Sequence, residues 1–194
     1  MTKPAREPKP RLIAVDGIQT AAVIAEARAA LGAASRGGIS KWDASGVFQE
    51  LTVADETAGA ASARTLLLLY AADLAFRLRW QIRPALAEGR TVVAAPYVDT
   101  AVAFGRAAGL TPAWLTNLFR FAPRAAQRRF VHVKTAAAAV GDGFVGFGCD
   151  HVTGGKSARR RILQETAAQL RRLDRSDRAR MQITRSPSPP PARR

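Results

Sequence analysis

LLLLYAADLAFRLRWQIRPALAEGRTVVAAPYVDTAVAFGRAAGL, residues 66–110, decides the fold. It opens with Leu66, Leu69, Tyr70, Asp73, Phe76, Trp80 and Arg83 at three- and four-residue steps, the spacing of a long helix. Pro84 interrupts that helix or restarts it, and Gly89 is placed to end it. Thr91-Val92-Val93-Ala94-Ala95 is short and almost wholly apolar, as a parallel strand covered on both faces must be. Pro96 and Tyr97 follow at its C-terminal edge, and a second helical pattern begins near Asp99. Helix, tight turn, buried strand and helix together predict the repeating unit of an open α/β sheet.

Working outward toward the N-terminus, Arg11 to Gly17 reads as a short buried strand ending in glycine, followed by an Ala-rich helix from about Thr20 to Ala34. Gly37 to Lys41 is a candidate second strand leading into Trp42-Asp43-Ala44-Ser45-Gly46, and residues 47–62 suit a short helix and a polar loop. Toward the C-terminus, Thr111 and Pro112 are placed as N-cap and first residue of a helix that ends near Pro123. Phe130 to Val133 is expected to be a fourth strand. The run Gly141 to Cys149, with Gly141, Gly143, Gly146 and Gly148 interleaved with Phe144, Val145 and Phe147, reads as a fifth strand or hairpin. The last helix is expected over Ala158 to Leu173. From Arg175 the composition shifts to Arg, Ser and Pro, and Ser186 to Pro191 reads as a partly polyproline tail. The sequence thus predicts a three-layer α/β domain over 11–175, a parallel sheet flanked by helices, with a disordered basic arm at 1–10 and a disordered tail at 176–194.

Composition supports this division. The chain has 194 residues and 47% hydrophobic content, enough for one domain with a sizeable core. No apolar run reaches the roughly 18 residues of a membrane span, and residues 1–11 lack the apolar centre of a secretory signal. The single Cys149 cannot form an internal disulfide and fits a reducing, cytoplasmic interior. The net charge of +15 is unevenly placed: residues 1–11 contribute +3, residues 156–194 contribute +9, and the long middle only +3. The basic ends either contact nucleic acid or another acidic partner, or simply keep the chain soluble.

The central stretch resembles the thymidylate kinases. In that family a helix ends in L-F-A-A-D-R, then come I-x-P-A-L-x-x-G, a buried strand, D-R-Y, and a serine-containing turn into A-Y-Q. The matching pieces are Leu69-Tyr70-Ala71-Ala72-Asp73-Leu74, Ile82 to Gly89 with Pro84-Ala85-Leu86, then Ala95-Pro96-Tyr97, then Thr100 through Ala103-Phe104-Gly105. The resemblance implies a P-loop-NTPase-like fold. Strand, glycine, helix at Arg11–Ala34 is where such a kinase carries its phosphate loop, of the form G-x-x-x-x-G-K-[ST]. Here Gly17 matches the first glycine, Gln19 stands at a usually acidic position, and Ala22, Val23 and Ile24 replace glycine, lysine and hydroxyl. The valine supplies no cation and the isoleucine cannot ligate Mg²⁺. Gly155-Lys156-Ser157 has Asp150 where the earlier glycine belongs. Trp42 and Leu74 stand where the family has arginines, and Ala95-Pro96 replaces its D-R pair. Between the expected fourth strand and last helix, too little chain remains for the family's Arg-rich lid, so that region reads as reduced or absent.

The family's nucleoside pocket fares better. Tyr70 stands at the base-stacking position, and Asp73, Tyr97, Thr100 and Phe104 are similar to, or the same as, its other lining residues. Two readings compete: these are core aromatics with an internally paired Asp73, or they still hold a base or other flat ligand. His132, His151 and Cys149 form no metal-ligand pattern, and Ser45 has no nucleophile context. The sequence therefore favours a non-catalytic pseudokinase: a nucleoside- or nucleotide-binding or protein-interaction module with no catalytic residue, metal or cofactor, dimeric as thymidylate kinases are. The alternatives are an active dTMP kinase using ATP and Mg²⁺, with Arg77, Arg79 or Arg106 as replacement cations, and nucleic-acid binding through the tails.

Overall fold

In a computed structural model, residues 10–32, 36–51, 61–132, 143–151 and 155–185 are described. Their elements run β1 (Leu12–Gly17), α1 (Thr20–Leu31), β2 (Gly37–Lys41), α2 (Ala63–Arg77), a π-helical turn (Leu78–Ile82) and α3 (Arg83–Ala87). They continue with β3 (Thr91–Ala95), α4 (Val98–Ala107), α5 (Pro112–Phe119), β4 (Gln127–Val131), α6 (Phe144–His151) and α7 (Gly155–Arg185). Residues 47–51 form one further helical turn. The four strands make a wholly parallel sheet in the order β2-β3-β1-β4.

Side-chain alternation along the strands builds the layers. Leu12 and Ala14 of β1 and Val92 and Ala94 of β3 face the larger core, formed with α2, α4, α5, α6 and α7. Ile13, Val15, Val93 and Ala95 face the other way, onto Val23, Ala27 and Ala30 of α1. Both faces of β1 and β3 are covered, which is why their sequences are unbroken apolar runs. The result is the three-layer α/β architecture that the sequence predicts.

The long helix of the central stretch starts at Ser62, whose hydroxyl accepts a bond from Thr65 N. Pro84 neither stops nor restarts it simply. The turn before it widens, with Arg83 N bonding back to Leu78 O, and α3 carries the proline in its first turn, where the missing N–H costs little. Gly89 then closes α3 at φ +80°, with Gly89 N on Leu86 O and Arg90 N on Ala85 O. Gly109 closes α4 in the same way at φ +86°.

Four expectations need correction. Helix α1 stops at Leu31, where Gly32 at φ +59° follows, not at Ala34. The fourth strand is Gln127–Val131, earlier than Phe130 to Val133, with Gly17 opposite Val131. It lies at the sheet edge and every residue in it is half-buried, so it accommodates Arg128 and Arg129, which interrupt any apolar run. The glycine-rich run is no strand over residues 144–151: it forms helix α6. Its alternating glycines imitate a period of two, but Phe144, Val145, Gly148 and Cys149 are buried on one helical face. Gly148 is there for contact, since a Cβ would lie 2.6 Å from the Phe104 ring.

The last helix, α7, spans Gly155–Arg185, well beyond Ala158 to Leu173 at both ends. Residues 176–185, placed in the tail by composition, are helical, and Asp177 helps to anchor them. Arg128 of β4 bonds Asp99 at 2.6 Å and Asp177 at 2.6 Å, while His132 meets Asp174 at 2.7 Å. Those partners lie far from residues 174–177 in sequence, which hides them from a composition reading. The basic arm at 1–9, the loop at 52–60, Thr135 to Val140 and the tail at 186–194 lie outside the described residues. Among the described residues no helix is long and apolar enough to cross a membrane, and no group of three metal-ligating side chains occurs.

Candidate functional site

In an open parallel sheet the carboxyl ends of the strands, where neighbouring connections diverge, form the natural crevice. Here β1 ends at Gly17, β2 at Lys41 and β3 at Ala95, and a cavity of about 270 Å³ opens beside all three. Its walls include Ile18, Val23, Ile24, Trp42, Pro96 and Phe144. Among the described residues Lys41 is the one cation in its lining, and Thr20 and Thr100 bring hydroxyl-bearing side chains.

Of the five residues singled out in the turn after β1, Gly17, Val23 and Ile24 line this cavity, and Gln19 and Ala22 do not. Only Ile18 and Gln19 separate β1 from α1, and Val23 N already bonds to Gln19 O at 2.9 Å, an ordinary first helical turn. Val23 is buried and folds back over Gly17: a Cβ on Gly17 would lie 2.8 Å from Val23 Cγ2 and 3.0 Å from Val131 O. Ile24 is half-buried on the cavity wall, and Ala22 precedes Val23 on the same turn without lining the cavity. Gly17 N donates to Thr100 Oγ1 at 3.1 Å. The turn is thus short and apolar, with Gly17 N committed to Thr100 Oγ1 and an uncharged side chain at Val23.

The nucleoside candidates are brought together, but chiefly onto one another and onto core side chains. Tyr70 is fully buried and donates its hydroxyl to Tyr97 O. Phe144 lies with its ring centroid 4.5 Å from Tyr70 and 5.2 Å from Phe104, filling the space between them. Tyr97 donates its own hydroxyl to Pro123 O at 2.7 Å. Burial pushes both phenols above their usual range. Asp73 is fully buried and accepts from Ser45 N at 3.0 Å, Ser45 Oγ at 2.9 Å and Asp43 N at 3.3 Å, which ties the turn after β2 onto α2. It also pairs with Arg77, one helical turn on, at 3.0 Å. Of the five, only Thr100 lines the cavity.

Of the three candidate replacement cations, Arg77 is fully buried beside Asp73, Arg79 lies over Trp80 at 5.2 Å, and Arg106 is exposed in the last turn of α4. None of the three lines the cavity.

Sequence reasoning missed Asp16. This carboxylate ends an otherwise apolar strand, and that is the signal that should have marked it. Its Oδ1 accepts from Tyr97 N at 3.0 Å, Thr100 N at 2.9 Å and Thr100 Oγ1 at 2.8 Å, so one atom joins β1 to the start of α4. Burial, reinforced by the nearby Asp99, pushes its pKa up from 3.8 to about 7, against the hydrogen bonds, which lower it. The raised value fixes the sign of a pH effect. Between about pH 4 and pH 7 the folded chain holds a proton that the unfolded chain has released, so stability falls as pH rises through this window and stays lower above it. Asp16→Asn keeps an acceptor toward Tyr97 and Thr100 without the charge. Its melting temperature relative to the parent is expected to climb from pH 5 to pH 8, by the equivalent of on the order of 1–4 kcal/mol. A pH-independent difference between the two proteins would refute this assignment.

Comparison with known proteins adds one kind of likeness. No family model and no curated protein matches the chain. Among solved structures, it is similar to the thymidylate kinase from Ehrlichia chaffeensis, with a TM-score of 0.65 at 10% identity, covering 88% of this chain and 84% of that one. At that identity the likeness is one of fold.

Proposed function

We propose that this chain is a non-catalytic, thymidylate-kinase-like binding module, a pseudokinase that presents a ligand pocket where a kinase would handle phosphate. The observation that carries this reading is Val23 folded onto Gly17, with Ile24 on the cavity wall, at the turn where phosphoryl transfer requires a cation and a hydroxyl. ATP and Mg²⁺ do not fit these residues: the turn is closed by apolar contact, and among the described residues no carboxylate lines the cavity to hold a metal. Phosphoryl transfer is positioning and charge neutralisation, and losing even one electrostatic donor costs roughly 10²–10³ in rate. Purified protein given dTMP and Mg-ATP in a coupled ADP-release assay is expected to show no turnover above background. Turnover that disappears in a Tyr70→Ala variant would establish the dTMP kinase alternative instead.

Two partner readings have a specific observation each. Leu68, Phe76 and Trp80 are exposed along the outer side of α2 and the following turn, which favours a homodimer across that face. Arg172 and Arg175 are exposed in the second half of α7, whose Asp174 and Asp177 turn inward, which favours an acidic partner such as nucleic acid.

A further inference from the structure

We infer that the cavity at the ends of β1, β2 and β3 is a binding site for a small aromatic monocarboxylate, its ring seated among Trp42, Phe144, Val23 and Ile24 and its carboxylate at Lys41. The inference rests on the reading that the site no longer handles phosphate, and it names what the altered site takes in its place.

Size is the first argument. About 270 Å³ falls just under the ~300–1,000 Å³ of clefts that hold drug-sized ligands, enough for one or two fused rings with a short acidic arm. A nucleoside triphosphate is far larger. The wall chemistry is the second. Ile18, Val23, Ile24, Pro96, Phe144 and Val145 are apolar, so most of the occupant must be apolar for its burial to be favourable. Trp42 presents an indole wall already braced by edge contacts with Phe144 at 6.2 Å and Phe147 at 6.0 Å, a setting into which another aromatic ring packs at little entropic cost.

Polarity is the third argument. Lys41, exposed at the end of β2, supplies one positive charge on the cavity's rim. One ammonium balances a carboxylate. A phosphate dianion would need further cations, and among the described residues the cavity wall supplies none. The combination therefore selects a monoanion with a flat apolar body.

The test is isothermal titration of the full chain with indole-3-acetate, 3-phenylpropionate, indole-3-acetamide, phenyl phosphate and dTMP. The two acids are expected to bind with Kd between about 10 μM and about 4 mM. The neutral amide and the phosphate are expected to bind at least ~10-fold more weakly, the factor corresponding to about 1.4 kcal/mol. Lys41→Met should erase the preference for acid over amide. Ile24→Phe fills the cavity from a half-buried wall position and should abolish binding of both acids while the melting temperature stays near that of the parent. Absence of heat with either acid, or binding undiminished in the Ile24→Phe protein, would overturn the inference. Kinase turnover is measured separately, so acid binding can fail while the non-catalytic reading stands. Turnover with dTMP and Mg-ATP would instead remove the basis of both.

Discussion

Replacing Asp73 by alanine is expected to cost about 3–5 kcal/mol, the toll of stranding a buried charge. Arg77 is fully buried, and Asp73 is its counter-charge at 3.0 Å, an ion pair set off the Nε–H direction. The guanidinium also lies over the Tyr70 ring at 5.7 Å, and Nη1 donates to Pro96 O at 2.9 Å and more weakly to Ser40 O at 3.5 Å. Its Nη2 has no partner among the described residues. The alanine would also release the backbone donors of Asp43 and Ser45 and the Ser45 hydroxyl, freeing the turn after β2. Against a total stability of ~5–15 kcal/mol, the loss approaches unfolding, and urea denaturation should show a large fall in midpoint. An Asp73→Leu/Arg77→Met double variant removes both charges and should recover much of the loss, because an apolar pair avoids the desolvation cost altogether. A single alanine variant within about 1 kcal/mol of the parent would mean that the pair is solvated.

The same residue shows what was legible in the sequence. Asp73 and Arg77 stand four apart on a helix, so their pairing could be read from spacing alone. The bonds from Asp73 to Asp43 and Ser45 join segments some 30 residues apart and could not. Strands β1 and β3 were legible because both of their faces are buried, which forces continuous apolar runs. β4 was not, because an edge strand accepts Arg128 and Arg129, and those two residues are what α7, α4 and α1 bind through Asp177, Asp99 and Glu26. That Val23 and Ile24 carry neither cation nor hydroxyl followed from residue type. That Val23 would close over Gly17, or that Lys41 and Trp42 would border the resulting cavity, depends on how β2 and α1 flank β1 and β3, which no local pattern specifies. Asp16 lay between: its residue type was visible, its three hydrogen bonds to the start of α4 were not.

Phe144 decides which of the two readings of the aromatic positions describes the native protein, and its removal should have the other large effect. The sequence leaves Tyr70 and Phe104 as either core or ligand platform; in the fold Phe144 occupies the space between them, 1% exposed, and also meets Phe48 at 5.9 Å. Phe144→Ala is expected to destabilise the protein by about 3–5 kcal/mol, combining lost apolar transfer with the cavity left behind. A void lined by Tyr70, Phe104 and Phe48 is apolar and of ring size, so indole or benzene added at millimolar concentration should raise the variant's melting temperature and leave the parent's unchanged by that route. Thymidine is the sharper probe. If Tyr70 and Phe104 retain the geometry of a base platform beneath Phe144, thymidine will stabilise the alanine variant and not the parent; if they are core aromatics alone, only the apolar rings will. A destabilisation below about 1 kcal/mol, or full response of the parent to thymidine, would mean that Phe144 does not fill the space and that the platform is open in the native chain.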